Sequence, residues 1–178
     1  METSLEIERK FLIEYPDPVW LEQQPGSRCV GISQTYLLSE EGESRRVRTW
    51  CENGRTRYFH TCKRFLTDRT RIEQEAEISR EAYEVLLKDA DPKRRTIFKT
   101  RWRLPYEGHV LEIDLYPFWQ GEQAVLECEL NSEDETFAIP PEIRLIREVT
   151  GDPRYRNSRL ALEAPPSDDR PYGRTLEP

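Results

Sequence analysis

The 178-residue sequence predicts an α+β fold, with about eight mostly antiparallel strands and two or three short helices. Three observations carry this expectation. Charged and apolar residues alternate along many segments, the period-two signature of a strand. The connections between those segments are short, which favours antiparallel neighbours. The later strands oppose charged faces to strongly apolar ones, so one face of the sheet must pack on something.

The first strand begins near residue 5, with Glu6, Glu8 and Lys10 on one face and Leu5, Ile7, Arg9 and Phe11 on the other. Tyr15-Pro-Asp-Pro18 breaks it. Residues 19–24 suit a short helix with Pro18 near its first position, closed by Pro25-Gly26. A strand follows at 29–38. Strands at 45–50 and 56–63 flank Glu52-Asn53-Gly54, and Asn-Gly is the strongest short hairpin signal. Alternation resumes at 69–78. Ser79 then caps a helix reaching about residue 89, with Ala82, Tyr83, Leu86, Leu87 and Ala90 on its apolar side. Strands are expected at 96–105, 110–116 and 124–131. Residues 132–151 are mixed in character, and Asn157 caps a short helix through 163. One domain over 1–163 is expected, followed by a Pro-rich tail at 164–178, disordered or loosely docked.

Bulk properties exclude several classes. Charged residues make up 34% of the chain, above the usual quarter, and mean hydropathy is −0.84. No apolar run approaches the roughly 20 residues of a membrane helix, and the N-terminus lacks a signal-peptide layout. Net charge is −7, which argues against a nucleic-acid partner. Cys29, Cys51, Cys62 and Cys128 show no Cys-x-x-Cys spacing and read as reduced thiols in a cytoplasmic protein. His60 and His109 have no ligand spacing with them, which argues against a zinc site.

The charged faces segregate by strand. Glu73, Glu75 and Glu77 share one strand, Glu112 and Asp114 another, and Glu127 and Glu129 a third. Arg46 and Arg48, Lys63, and Lys99, Arg101 and Arg103 make the basic strands. A solvated sheet face accounts for any one strand, but a surface chosen for solubility mixes signs along a strand. If the sheet curls with this face inside, it encloses a charged, wet tunnel. A lipocalin-like barrel would turn its apolar face inward and leave the charges outside. Basic side chains bind phosphate oxygens, and hard divalent cations bridge carboxylates to phosphate, so the two signs together point to a metal–polyphosphate site. The chain has only 8 glycines and no Gly-rich phosphate loop, which fits binding by side chains.

These residues resemble the CYTH superfamily, the triphosphate tunnel metalloenzymes. Glu6-Ile-Glu-Arg-Lys10 matches its Glu-x-Glu-x-Lys signature. In order follow Gln34-Thr-Tyr36-Leu37, Arg46-Val-Arg48, Lys63, Glu73-Gln-Glu75, Lys99-Thr-Arg101, Glu112-Ile-Asp114 and Glu127-Cys-Glu129. Gly151-Asp-Pro-Arg-Tyr155 with Asn157-Ser158 resembles the closing segment of short bacterial members, which are most similar to inorganic triphosphatases. The resemblance, over roughly residues 5–162, implies an eight-stranded antiparallel β-barrel with a few helices packed outside. It implies hydrolysis of a small triphosphate, inorganic tripolyphosphate foremost, with Mg²⁺ or Mn²⁺. Lys10, Arg46, Arg48, Lys63, Lys99, Arg101 and Arg103 would bind the phosphates. Glu6, Glu8, Glu73, Glu75, Asp114, Glu127 and Glu129 would bind metal. Of these, Glu6, Glu8, Lys10, Arg46, Arg48, Lys63 and Arg101 are expected to carry the catalysis. Glu77 and Arg103 could equally be ion pairs at the tunnel rim. The alternatives are a class IV adenylyl cyclase, making cyclic AMP and diphosphate from ATP, and a non-catalytic polyphosphate or nucleotide-binding module. No membrane partner is expected, and a homodimer is left open.

Overall fold

The computed structural model describes residues 2–67 and 70–163; the expected tail at 164–178 lies outside them. Eight strands form the barrel: β1 (Glu2–Glu14), β2 (Arg28–Leu37), β3 (Glu43–Glu52), β4 (Arg55–Phe65), β5 (Thr70–Ile78), β6 (Ile97–Tyr106), β7 (His109–Leu115) and β8 (Gln123–Leu130). All neighbours pair antiparallel, in the order β5-β4-β3-β2-β6-β7-β8-β1. β1 closes the ring because it pairs on both edges. Its N-terminal half meets β5, with Glu6 opposite Arg71, and residues from Ile7 onward meet β8, with Lys10 opposite Glu127.

Two tight turns are written plainly in the chain. Asn53 and Gly54 between β3 and β4 both have positive φ (50° and 74°), as do Glu107 and Gly108 between β6 and β7 (43° and 83°). That is the backbone a two-residue hairpin of right-handed twist requires.

The apolar core lies outside the barrel. Ile7, Phe11 and Ile13 of β1 join Leu111, Ile113 and Leu115 of β7 and Leu126 and Cys128 of β8 beneath Leu21 and Ile143. Leu21 belongs to helix α1 (Pro18–Gln23), where Asp17 caps the Val19 N–H and Pro sits in the first turn. Each fully buried Leu or Ile contributes roughly 1.5–3 kcal/mol, so this outer layer, not the tunnel, is where hydrophobic stabilisation concentrates. Helix α2 (Arg80–Leu86) starts at the expected Ser79 cap and tightens into a 3₁₀ turn over Leu87–Asp89.

Two features depart from expectation. A short strand β9 (Leu145–Glu148) adds to the C-terminal half of β1. Its anchor is Arg9, for which the sequence suggests no role: the guanidinium donates to both Glu148 carboxylate oxygens (2.9 and 2.7 Å) and lies over the Phe11 and Phe137 rings. Helix α3 (Asn157–Glu163) does not pack outside. Its Leu160 and Ala161 meet Tyr36, Ile97, Tyr116 and Val125, whose alternation places them on the interior face, so α3 plugs one end of the barrel.

Candidate active site

The interior holds a cavity of about 720 Å³. Among the described residues, ten basic and eight acidic side chains line it, in a chain whose overall charge is −7. A locally cationic chamber inside an acidic protein concentrates polyanions where they react and leaves the outer surface repelling them.

Three ion-pair groups organise the walls. In the first, Lys63 Nζ donates to both oxygens of Glu6 (2.8 and 2.7 Å) and lies 2.5 Å from Glu73 Oε2. Arg71 spans Glu6, at 3.1 Å, and Glu8. In the second, Lys10 sits 2.7 Å from Glu127, and Arg101 bridges Glu112, Asp114 (2.6 Å) and Glu127 (3.0 Å). In the third, Arg48 forks onto Glu75 (2.8 and 2.9 Å), which also accepts from Thr61. Rings flank Arg48: its guanidinium lies 5.6 Å from Trp50 and 5.3 Å from Phe59. Arg46 differs. It donates to Gln34 Oε1 at 3.4 Å, and its buried Nε has no hydrogen-bond partner among the described residues. Arg48 Nε is likewise without a hydrogen-bond partner among the described residues, so the two guanidiniums, held by Glu73, Glu75 and Tyr36, keep spare donors for an incoming anion.

Burial works to raise the pKa of Glu127, but Lys10, Arg101 and Lys99 overcome it and hold the carboxylate well below its usual range. Glu129 goes the other way. Partial burial and the neighbouring Glu6, Glu112 and Glu73 raise its pKa. A carboxyl raised in the folded state destabilises the fold above its folded pKa and not below its unfolded one. Glu129→Gln is therefore expected to raise the melting temperature of the metal-free protein by a small margin at pH 8 and to leave it unchanged near pH 4. A lowered melting temperature at pH 8 would count against this picture of repulsion.

Most expected side chains meet in the cavity: Glu6, Glu8, Lys10, Arg46, Arg48, Lys63, Glu73, Glu75, Arg101, Arg103, Glu127 and Glu129 all line it. Lys99 and Asp114 do not. At 2% and 0% side-chain exposure they lie behind the wall, 2.5 Å apart, with Asp114 also gripped by Arg101. Lys99, expected at the phosphates, and Asp114, expected at metal directly or through water, therefore stand off the cavity: Asp114 holds Arg101, and Lys99 pairs with Asp114. Arg103 lines the cavity and pairs with Glu112 at 3.1 Å. Glu77 pairs with Arg57 at the exposed rim. Arg71 and Tyr36 also line the cavity, and neither stands among the expected site residues. Both share the inward parity of their strands, Arg71 with Glu73 and Glu75 and Tyr36 with Gln34, and the acids around Arg71 mask it as a basic site residue.

As the side chains stand, no three His, Cys, Asp or Glu among the described residues converge closely enough to hold an ion. The donor set nevertheless suits one. It is all carboxylate, the ligand type hard divalent cations take, and the mutual repulsion around Glu129 is what such a cation relieves.

No family model matches the chain. Individual relatives do. It is 33% identical to an inorganic triphosphatase of Acetivibrio thermocellus over 156 residues, 87% of this chain and 92% of that protein. It is 33% identical to an inorganic triphosphatase of Nitrosomonas europaea over 171 residues, 90% of this chain and 99% of that one. The chain belongs to the CYTH superfamily. Within the CYTH superfamily it groups with short bacterial triphosphatases. A crystal structure of an inorganic triphosphatase superposes with a TM-score of 0.56 at 30% identity, covering 90% of this chain and 96% of that one. This CYTH barrel also shares its fold with a Pyrococcus horikoshii protein of 22% identity, at a TM-score of 0.55.

Proposed function

We propose that the chain is a divalent-metal-dependent hydrolase that cleaves inorganic tripolyphosphate to phosphate and diphosphate. The observation that carries this reading is the net-cationic cavity, in which Arg46 and Arg48 each keep an Nε without a hydrogen-bond partner among the described residues. The named activity of both relatives supports it.

Glu6, Glu8, Glu73, Glu75, Glu127 and Glu129 would hold Mg²⁺ or Mn²⁺, which when bound offsets phosphate charge and lowers the pKa of water. Lys10, Arg46, Arg48, Lys63, Arg101 and Arg103 receive and orient the phosphate oxygens. Phosphoryl transfer asks little covalent chemistry of a protein, so fixed cations lining the chamber supply most of what is needed. The Asp114–Lys99 pair keeps Arg101 aimed. Helix α3 closes one end, which favours a short, unsubstituted chain over a bulky one. His109 lines the cavity but is engaged by Glu135 at 3.1 Å. A cytoplasmic location belongs to the same reading. It is supported by four free thiols, and among the described residues no helix is long and apolar enough to cross a membrane. A homodimer is also kept, and sedimentation velocity reads it directly.

The purified chain with Mg²⁺ or Mn²⁺ is expected to release equal amounts of phosphate and diphosphate from tripolyphosphate, and chelation is expected to abolish the release. Cyclic AMP formed from ATP would replace this reading with the cyclase. Tight binding of tripolyphosphate with no turnover under either metal would replace it with the non-catalytic module.

A further inference from the structure

We propose that Arg71 is a resident counter-ion, occupying the carboxylates of Glu6 and Glu8 until a divalent cation displaces it, and thereby setting the metal affinity of the site. The proposal rests on the reading of Glu6 and Glu8 as metal ligands.

The geometry is specific. Glu6 and Arg71 are directly opposed where β1 closes the barrel against β5. Arg71 Nε lies 3.1 Å from Glu6 Oε2, while its Nη2 reaches Glu8 Oε1. All three side chains are largely buried, at 12–15% exposure. One planar guanidinium thus forks across two carboxylates that stand two residues apart on one strand, the arrangement for which Arg is suited and Lys is not. Those same carboxylate oxygens are what a hard divalent cation needs. A guanidinium and a divalent cation at these oxygens compete, because both are positive and the site is partly shielded from water. Metal entry at these oxygens therefore displaces Arg71 from them. This also accounts for the absence of a converged carboxylate group among the described residues: Glu6 and Glu8 are drawn to cations of the protein itself.

A resident competitor has two consequences. It stabilises the metal-free protein, in which clustered carboxylates would otherwise repel, and it weakens metal binding. It also frees a guanidinium inside the cavity as the metal arrives, when phosphate is to be bound.

The test is direct Mn²⁺ binding to the metal-free full-length chain, read by the electron paramagnetic resonance signal of free Mn²⁺. Arg71→Gln is expected to bind Mn²⁺ roughly tenfold more tightly than the parent, a typical size for coupling between two ligands of one protein. Arg71→Lys, which keeps the charge but cannot bridge both carboxylates, should fall between and decides the matter if Arg71→Gln does not fold. Loss of a nearby positive charge tightens cation binding through space in any case, so Arg71→Lys carries the discrimination: it keeps the charge, and binding tighter than the parent reports release of the bridged carboxylates. Unchanged or weaker Mn²⁺ binding in the folded variants overturns the proposal. Glu8→Gln separates the two levels. If Glu8→Gln loses Mn²⁺ binding while the Arg71 variants fail to gain it, only the counter-ion role falls. If Glu8→Gln binds Mn²⁺ like the parent, the metal reading falls and the counter-ion role with it.

Discussion

Glu6→Gln and Glu8→Gln are each expected to lower metal-dependent phosphate release from tripolyphosphate by about 100-fold or more while leaving the protein folded. The magnitude follows from what a bound cation supplies: several kcal/mol of transition-state stabilisation, at about 1.4 kcal/mol per tenfold in rate. The retained fold follows from the local pairing. Glutamine keeps the shape and one acceptor of glutamate. Without the Glu8 charge, Arg71 still has Glu6 at 3.1 Å, and without the Glu6 charge, Lys63 still has Glu73 at 2.5 Å. Neither substitution strands a buried cation, so the melting temperature should move little. Steady-state phosphate release over a range of Mg²⁺ and Mn²⁺, with thermal unfolding of the same samples, reads both halves. Turnover within about threefold of the parent in both variants would remove Glu6 and Glu8 from the site.

Which parts of this arrangement can be read from the chain alone follows from what alternation encodes. Period two assigns a residue to a face, and so the inward set from Glu6 to Glu129 was visible strand by strand. It does not assign depth. Lys99 and Arg101 differ by one inward step, yet Arg101 lines the cavity and Lys99 is sealed behind it. Depth depends on how far each strand is staggered when the barrel closes, a non-local property of the register. Arg71 shares the face of Glu73, a lone cation in a run of acids, and only the closure of β1 against β5 shows that it neutralises Glu6 and Glu8 across the seam. β9 shows no alternation, being exposed along all four residues, and its place is set by Arg9, 139 residues before Glu148. The plug by α3 is likewise non-local: Leu160 and Ala161 mark an apolar face, but only closure of the sheet shows that the face enters the barrel.

Asp114→Asn is expected to be the most destabilising of the single changes considered, because Asp114 is fully buried and serves two cations. Lys99 Nζ lies 2.5 Å from its Oδ2, and Arg101 reaches both of its oxygens at 2.6 and 2.8 Å. Burial alone would raise the Asp114 pKa, but Arg101 and Lys99 overcome that and hold it below the ordinary value. Removing one member of a buried ion pair costs about 3–5 kcal/mol, since the partner's charge stays buried without its complement. For a chain of this length each kcal/mol moves the melting temperature by roughly 2–4 °C, so a fall of about 10 °C is expected. The two cations do not share the loss equally. Arg101 cannot shed its proton, though Glu112 and Glu127 remain beside it. Lys99 can: burial and Arg101 already bring its pKa down to about 8, and loss of the Asp114 charge lowers it further. The sign of the pH effect follows. At pH 6 the parent keeps Lys99 charged and favourably paired, so the variant forfeits the whole attraction. At pH 9 Lys99 is largely neutral in the folded parent, and there is less to forfeit. The gap between the two melting temperatures should therefore narrow from pH 6 to pH 9. A gap that is constant or widens over that range would mean that Arg101 alone depends on Asp114, and that Lys99 is held by packing and not by charge.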